Sequence, residues 1–360
     1  MENYWDFITA HLPELRVKLI EHVSISISAM LIAIVIGVCL GLLSVRLPRL
    51  KSTVLSMTNL FQTIPSIALL GFLIPCVGIG LMPTLIALVI YAVLPITSNT
   101  YIGLKGVAPT YLHVANSLGF TSWQRLYIIE IPLALPTIMA GIRTSMAMTI
   151  GITTIAAFIG AGGLGDFITQ GLSLNDTQLI LLGAIPVSLL ALAMDYVLGV
   201  CTLLLAHRTR LTLHFKKTKI ILVSIILGGL FFIMTYDALF LAKNSKNTII
   251  IGAKNFTEQY VLGHLMAELI ETKTNLRVVK KFNLGTTNIL HHALLAGQID
   301  IYPEYTGTAY LTVLRENQIK EPLQMYHRVQ IAYQENYDLT WLPSFGFYNA
   351  ESLALDFGLQ

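Results

Sequence analysis

Charged side chains are scarce in this chain of 360 residues, since Asp, Glu, Lys and Arg together make up 12% of it. A soluble globular domain carries roughly twice that fraction. Hydrophobic residues reach 54%, and the mean hydropathy is +0.68. This composition indicates a membrane protein. The net charge of +3 is small, so nothing in it points to a nucleic-acid partner.

Cysteine is rare as well. Cys39, Cys76 and Cys201 all lie in apolar segments, so the C-terminal third has no disulfide framework. The first 21 residues contain neither an apolar core nor a small-residue cleavage site, which argues against a cleavable signal peptide. We expect them to form an amphipathic helix at a membrane interface, with Trp5 and Phe7 as anchors.

Motifs for cofactor and metal chemistry are absent or out of context. No G-x-x-x-x-G-K-[ST] phosphate loop occurs. The run Gly160–Gly165 satisfies G-x-G-x-x-G, but a predicted membrane helix precedes it where a dinucleotide site needs a strand. His264 and Glu268 do not form H-E-x-x-H, and the adjacent His291 and His292 cannot share one helical face. We therefore predict no cofactor, no metal site and no catalytic residue, and we do not expect an enzyme.

Six apolar runs are long enough to cross a membrane, at roughly 20 residues each. They are His22–Val45, Val54–Pro75, Pro83–Ile102, Thr137–Ile159, Leu179–Ala206 and Ile220–Leu241. Lys and Arg cluster in the first, third and fifth connections, whereas residues 76–82 and 160–178 contain none. Because Lys and Arg mark the cytoplasmic side, both termini are predicted to lie outside.

Several predicted spans contain residues that are unusual in a membrane. Pro65, Pro95 and Pro186 either free backbone groups that line a water-filled path or reflect the general frequency of proline in membrane helices. Arg143 and Asp195 are charged, and such residues usually face the interior of a helix bundle. Arg143 is close to the cytoplasmic end of its predicted span and could snorkel to water, so the sequence does not assign it to a transport pathway.

The stretch Pro109–Gly141 is the one long, largely soluble-looking segment between strongly apolar runs. It reads PTYLHVANSLGFTSWQRLYIIEIPLALPTIMAG. Gly119 is followed at a fixed spacing by Ile131-Pro132 and Leu135-Pro136. This arrangement resembles the coupling loop of ABC-importer permeases, which docks into a separate ATPase subunit.

The resemblance implies an ATPase-coupling loop near residues 109–136. Where the family has Glu-Ala-Ala ahead of the glycine, this chain has His113, Val114 and Ala115. The residues predicted to serve coupling are His113, Ala115, Gly119 and Trp123.

From about Asn247 the pattern changes to alternating strands and helices. The predicted elements are a strand at Asn247–Gly252, a helix at Glu258–Glu271, a strand at Leu276–Phe282, a helix at Thr287–Leu295 and a strand at Ile299–Tyr302. This alternation predicts an α/β domain with a largely parallel sheet. The short polar linker Ala242–Lys246 is expected to hold that domain close to the outer membrane face.

Three runs in this segment resemble, in order and spacing, the substrate-binding domain of osmoprotectant importers. They are IIIGAKNFTEQ, NLGTTNILHHALLAGQIDIYPEYTGT and YDLTWLPSFGFYNAESLAL. The membrane run FIGAGGLGDFI likewise resembles the permeases of those importers. The family's ligands are mostly compact quaternary ammonium compounds, and ergothioneine is a further betaine. A quaternary ammonium has no N–H to donate, so aromatic faces must recognise it.

Tyr305 is the predicted cage aromatic, because it lies in the turn after a predicted strand, where α/β clefts form. The resemblance implies a ligand site made of Asn255, Gln259, Thr287, Tyr305, Thr308, Asn349 and Glu351. Many family members read Asn-Thr-Tyr where this chain reads Asn349-Ala350-Glu351. A carboxylate thus stands in place of a cage tyrosine; either it contacts the cation directly or the ligand differs.

The predicted fold is an all-α polytopic membrane domain of about six transmembrane helices, an ABC type I importer permease, followed by an α/β periplasmic-binding-protein-like domain. The predicted boundaries are 1–241 for the membrane domain, 242–246 for the linker and 247–360 for the binding domain. That last stretch is roughly half the length of a two-lobed binding domain. We therefore expect only its first lobe, from either a fragment or a naturally shortened product.

The predicted function is import of glycine betaine, choline, carnitine or a related betaine such as ergothioneine, powered by a separate ATPase subunit. The expected partners are that ATPase, a second permease copy and the quaternary ammonium ligand. The expected location is the bacterial inner membrane, crossed several times, with the C-terminal domain extracytoplasmic. The alternative is a ligand-sensing membrane receptor without transport, which would have no need of a coupling loop.

Overall fold

The computed structural model describes residues 4–206, 248–316 and 321–346. The predicted span Ile220–Leu241, the linker Ala242–Lys246 and the site residues Asn349 and Glu351 lie outside these ranges. The chain divides into two compact units, Met1–Pro303 and Glu304–Gln360. The first unit contains the membrane part and the start of the α/β segment.

Residues 4–206 form a sequence of helices. They are α1 (Tyr4–Arg46), α2 (Pro48–Thr63), α3 (Ser66–Val77), α4 (Leu81–Lys105), α5 (Pro109–Ser117), α6 (Ser122–Arg125), α7 (Ile131–Thr153), α8 (Gly165–Leu174) and α9 (Thr177–Ala206). A π-helical turn, Leu126–Glu130, joins α6 to α7, and a 3₁₀ segment, Thr154–Ile159, follows α7. Among the described residues, four helical stretches are long and apolar enough to cross a membrane, or five if the bent pair α2 and α3 counts as one span.

Two of these helices differ from the sequence prediction in shape. The lead-in segment and the first predicted span form one continuous helix of 43 residues, with Pro13 inside it. The predicted span Val54–Pro75 is broken instead, because α2 and α3 meet at an angle of 97°. Pro65 is the N-cap of α3, which is consistent with a helix that ends before a proline.

The membrane core forms where α1, α4, α7 and α9 pack together, around buried side chains such as Met30, Ile96, Ile142 and Met194. Small residues allow this close packing. A Cβ added at Gly41 of α1 would come within 2.5 Å of Thr100 Cβ on α4. The two helix backbones therefore approach more closely than a larger residue would permit.

The α/β part of the first unit begins with β1 (Thr248–Gly252), α10 (Thr257–Lys273), β2 (Arg277–Lys281) and α11 (Thr287–Leu295). The two strands are parallel, with Ile249 opposite Val278, as the alternating pattern predicts. The third predicted strand, Ile299–Tyr302, is reduced to a single parallel bridge between Ile301 and Ile251. Pro303 follows at once and has no N–H with which to extend the ladder.

The second unit contains α12 (Thr306–Thr308), a π-helical turn (Ala309–Val313) and α13 (Pro322–Tyr337). Its core consists of Ala309, Tyr310, Val329 and Tyr333. The Trp341 ring meets the Tyr333 ring edge-on at 5.4 Å, a favoured aromatic geometry.

Candidate functional site

The predicted coupling loop is a helical hairpin made of α5 and α6. Gly119 ends α5 in the left-handed conformation, with φ +75°. The Phe120 N–H then donates to the Ala115 carbonyl at 3.0 Å, which closes a glycine-terminated helix end. Thr121 and Gln124 form a reciprocal capping box that starts α6. The reversal of the chain is therefore built from local hydrogen bonds.

The outer face of this hairpin is apolar and exposed. The exposed side chains are Tyr111, Val114, Leu118, Trp123 and Tyr127, and the Trp123 and Tyr127 rings stack at 5.9 Å. Among the predicted coupling residues, His113 is also exposed, whereas Ala115 is fully buried inside the hairpin. Exposed apolar patches of this kind mark protein–protein contact surfaces. We call these five side chains the coupling patch.

A buried carboxylate, Glu130, links the hairpin to α1. The sequence did not predict this role. Glu130 accepts from Arg125 Nε at 2.8 Å and lies 3.8 Å from Arg46 Nη2 at the end of α1. Arg125 also donates to Asn116 Oδ1 of α5 at 3.1 Å. One carboxylate thus ties the hairpin to the first long helix. A lone Glu within the run LYIIEIPLA was the available signal.

The predicted ligand residues of the first unit lie where β1 and β2 end. Asn255 is exposed, and Gln259 is fully buried and accepts from the Lys254 N–H through Oε1 at 3.3 Å. Thr287 is buried at the start of α11. The loops after both parallel strands meet at this edge, since the Leu284 N–H donates to the Ala253 carbonyl at 3.0 Å. This carboxyl edge is the usual ligand position in α/β sheets.

Gln259 has further hydrogen-bonding capacity. Its Nε2 has no hydrogen-bond partner within the described residues. A buried amide donor left unpaired is costly, so this group is available to a ligand or to water. Tyr305 and Thr308 lie in the second unit, both half-buried, and the Tyr305 N–H donates to Glu304 Oε1 at 2.7 Å.

A second contact surface, which the sequence did not predict, joins the α/β segment to loops of the membrane part. Ile79, between α3 and α4, is buried in a cluster with Leu284, Leu290 and Ile299. The Ile79 carbonyl accepts from Gln298 Nε2 at 3.0 Å. We call this surface the loop seam.

The glycine-rich run after α7 forms the other side of the loop seam. Gly160 has φ +73°, and an added Cβ would come within 2.3 Å of Leu284 Cδ2. Asn283 donates to Thr169 Oγ1 of α8. The run that matched a dinucleotide motif follows a 3₁₀ segment and not a strand, and its glycines allow this close approach.

Charged groups lie beside the loop seam. Lys18 Nζ of α1 lies 2.5 Å from Asp166 Oδ2 of α8, and Glu21 Oε2 accepts from the Gly163 N–H at 2.9 Å. Burial raises the pKa of Asp166 to about 6, and the positive charge of Lys18 opposes that shift. Burial lowers the pKa of Lys281 at the end of β2. In residues 4–206, 248–316 and 321–346, no cluster of His, Cys, Asp or Glu is arranged to hold a metal ion.

Arg143 and Asp195, both singled out in the sequence, pair with each other. Arg143 Nε and Nη2 donate to the two Asp195 carboxylate oxygens at 2.9 and 2.7 Å. α7 begins at Ile131, six residues before the predicted span, so Arg143 lies twelve residues from the start of the helix. Its side chain is turned to Asp195.

Two family models match the chain in turn. Residues 33–211 match the binding-protein-dependent transport system inner membrane component. Residues 247–356 match the substrate-binding domain of the ABC-type glycine betaine transport system.

Curated relatives agree with these matches. The glycine betaine/carnitine/choline permease OpuCB of Bacillus subtilis is 44% identical over 56% of this chain and 92% of its own length. The ergothioneine permease/binding protein EgtU of Helicobacter pylori is 31% identical over 90% of this chain and 59% of its own length. The latter relative also joins a permease to a binding protein in one polypeptide.

The fold has a solved counterpart. The MetNI methionine ABC transporter in an inward-facing conformation gives a TM-score of 0.50 at 23% identity, over 55% of this chain and 98% of the matched chain. At this identity the likeness concerns the fold alone.

Proposed function

Because the chain belongs to the family of binding-protein-dependent transport permeases, we propose that it is the membrane subunit of an importer for a quaternary ammonium or betaine-type solute. The family implies an inner-membrane setting and an ATPase partner. The named relatives act on glycine betaine, carnitine, choline or ergothioneine, and we propose a ligand of this class. The fused binding segment would deliver it.

The coupling patch carries the proposal that a separate ATPase drives transport. Its aromatic and aliphatic side chains are exposed on a hairpin whose shape is held by a glycine-terminated helix, a capping box and a buried ion pair. A rigid apolar surface of this kind is suited to a protein groove. We propose that ATP is hydrolysed by that partner and that the chain itself is not an enzyme.

The proposed orientation rests on the distribution of Lys and Arg. We propose that the coupling hairpin is cytoplasmic and that the α/β segment is extracytoplasmic, since the connections 76–82 and 160–178 carry no Lys or Arg. These two connections also form the loop seam with the α/β segment, which supports a location of that segment on the same side. A second copy of this chain would complete the membrane path.

We propose that the ligand contacts the carboxyl edge of β1 and β2. Tyr305 belongs to the second unit and is proposed as a ligand residue on the family resemblance alone. Gln259, with its unpaired Nε2, and Thr287 would hold the polar end of the ligand. Tyr305 would contribute the ring face that attracts the cation. Asn255, Thr308, Asn349 and Glu351 complete the proposed set.

The test is reconstitution of this chain with its cognate ABC ATPase in proteoliposomes. We expect ATP-dependent accumulation of at least one of glycine betaine, choline, carnitine and ergothioneine, with saturation kinetics. Vesicles with an ATPase whose phosphate-loop lysine is replaced by alanine are the matched control, and they should accumulate none. Equal uptake with the wild-type and the altered ATPase would contradict the proposal. So would the absence of uptake of all four compounds with the wild-type ATPase.

A further inference from the structure

The ion pair of Arg143 and Asp195 belongs to neither of the two surfaces described above. Asp195 lies about 27 Å along α9 from Thr177 and about 16 Å from Ala206, at 1.5 Å per residue. Arg143 lies about 18 Å along α7 from Ile131 by the same measure. The hydrocarbon core of a bilayer is roughly 30 Å thick. Both charges therefore lie well inside the membrane.

Within residues 4–206, 248–316 and 321–346, this pair is open on one side. The Arg143 side chain is 38% exposed and the Asp195 side chain 43% exposed. Ionised side chains at membrane depth face the bundle interior or a water-filled cavity, because lipid cannot solvate them. Contact with lipid at this position would be costly for both groups. We therefore expect the exposed side of the pair to face a polar space in the assembled transporter.

Small side chains leave room beside part of the pair, whereas Leu192, three residues before Asp195 on α9, is large and exposed. Gly199 lies next to the guanidinium, and an added Cβ there would be 3.4 Å from Arg143 Cζ. On α7 the neighbouring positions Ala140 and Thr144 are exposed, and neither side chain is large. Tyr196 follows Asp195 directly and is 40% exposed, but consecutive residues of a helix point in different directions, so its ring belongs to an adjoining face of α9.

The pair also retains unused hydrogen-bonding capacity. Asp195 accepts from Nε and Nη2, which leaves both N–H groups of Arg143 Nη1 outside the ion pair. The carboxylate keeps lone pairs of its own, since each oxygen accepts one of these bonds. A positive group and a negative group thus stand side by side at a position that water or a solute can reach.

We propose that Arg143 and Asp195 form a transient binding site for the zwitterionic substrate within the membrane part. Nη1 of Arg143 donates to the substrate carboxylate, while the Asp195 carboxylate attracts its quaternary ammonium. The inference rests on the proposed function and adds a second ligand site, distinct from the one in the α/β segment.

Substrate chemistry gives a selective test of this site. Choline carries a quaternary ammonium but no carboxylate, whereas glycine betaine carries both. Arg143→Gln should lower kcat/KM for glycine betaine uptake by about tenfold or more, the loss expected from one charge-assisted hydrogen bond. Choline uptake should fall much less. Asp195→Asn should lower uptake of both compounds.

Each single change leaves one charge unpaired in the membrane and could prevent folding. A double variant controls for this effect. Arg143→Met with Asp195→Leu removes both charges, an exchange that folded proteins often tolerate. We expect this variant to reach the membrane at the wild-type level, measured by immunoblot of the membrane fraction, yet to transport poorly. Leu189→Ala, at an exposed apolar position on α9, is the matched control and should transport normally.

The outcomes separate the inference from the proposed function. If the wild type imports substrate and all three charge variants show the same uptake and the same selectivity, the membrane site is overturned and the proposed function stands. The ion pair would then have a structural role only. Copy-to-copy cross-linking of Leu192→Cys, in a background without the native cysteines, together with protection of that cysteine from a hydrophilic thiol reagent, would show that a second copy covers this face. That result would also overturn the site. A wild-type complex that imports no quaternary ammonium compound would remove the proposed function and this inference with it.

Discussion

Gly119 is required for its backbone conformation. With φ +75° it occupies the left-handed region, and an added Cβ would meet no atom within 4 Å. Asp tolerates this conformation better than most residues do, so Gly119→Asp should leave the hairpin folded. We expect it to abolish ATP-driven uptake, because a charged side chain would then project from the surface that meets the ATPase.

The matched control for Gly119→Asp is Gly297→Asp. Gly297 has φ +65° and equally open surroundings, but it lies in the α/β segment. Uptake assays on both variants, with ligand binding measured by calorimetry, should show loss of transport in the first variant only. Normal transport in Gly119→Asp would remove the main support for the coupling assignment.

His291 makes the α/β segment sensitive to acid. Burial lowers the pKa of this imidazole from its usual range to about 4. Protonation therefore favours the unfolded segment, whose histidine has a pKa near 6.5. Stability is complete above that value and is lost as the pH falls from about 6.5 toward 4.

Hydrogen exchange of residues 287–295 in the full chain measures this effect. Protection of α11 should fall between pH 7 and pH 5, after correction for the intrinsic exchange rate. His291→Gln should flatten the pH dependence of protection. His292→Gln, at the exposed neighbour, should keep most of it, because burial lowers the pKa of His291 more than the charge of His292 does. The same pH slope in the His291 variant would assign the effect to another group.

At the scale of elements, we expect the stability of the hairpin formed by α5 and α6 to depend on the buried carboxylate of Glu130. Glu130 is 5% exposed and pairs with Arg125. Glu130→Gln keeps the shape of the side chain but removes the charge, so Arg125 and Arg46 would face each other without a counter-ion. We expect a loss of about 1–3 kcal/mol in local stability, seen as faster hydrogen exchange over residues 109–125.

Coupling should decline together with this stability. Ligand-stimulated ATP hydrolysis should fall in Glu130→Gln, while Lys105→Gln, at an exposed charge of the same region, should behave as the wild type. Unchanged exchange and unchanged ATP hydrolysis in Glu130→Gln would show that the ion pair is dispensable.

The loop seam is expected to stabilise α11. Ile79 is 4% exposed because it is buried against Leu284 and Ile299. Ile79→Ala should cost about 2–5 kcal/mol, the usual cost of emptying a buried aliphatic site. Faster hydrogen exchange in α11 would report the loss, and Met82→Ala, at an exposed position of the same region, is the control. If α11 exchanges as in the wild type, the loop seam does not stabilise the α/β segment.

At the scale of the whole molecule, the central prediction is orientation in the membrane. Single cysteines at Ser122 and Thr272, in a background without the three native cysteines, report on the coupling hairpin and on α10. An impermeant thiol reagent applied to intact cells should label Thr272→Cys and leave Ser122→Cys unlabelled until the membrane is opened. Labelling in the reverse order would invert the proposed topology.

Much of the architecture could be predicted because it depends on local patterns. Apolar run length indicated the helices α1, α4, α7 and α9, since a span must satisfy its backbone internally. The strand–helix alternation after Asn247 predicted β1, α10, β2 and α11. Each of these signals resides in neighbouring residues. The role of the hairpin around Gly119 in coupling stays a prediction.

Tertiary structure decided what depends on residues far apart in the chain. The pairing of Arg143 with Asp195 joins two helices, and Glu130 joins the coupling hairpin to α1. The burial of Ile79 in the α/β segment depends on contacts over more than 200 residues of sequence. A single sequence contains no record of which distant side chains meet, because hydrogen bonds and close packing are set by the three-dimensional arrangement of whole elements. The sequence by itself therefore determined the class of protein and the helices α4, α7 and α9, whereas only the fold revealed the break between α2 and α3 and which charges are paired.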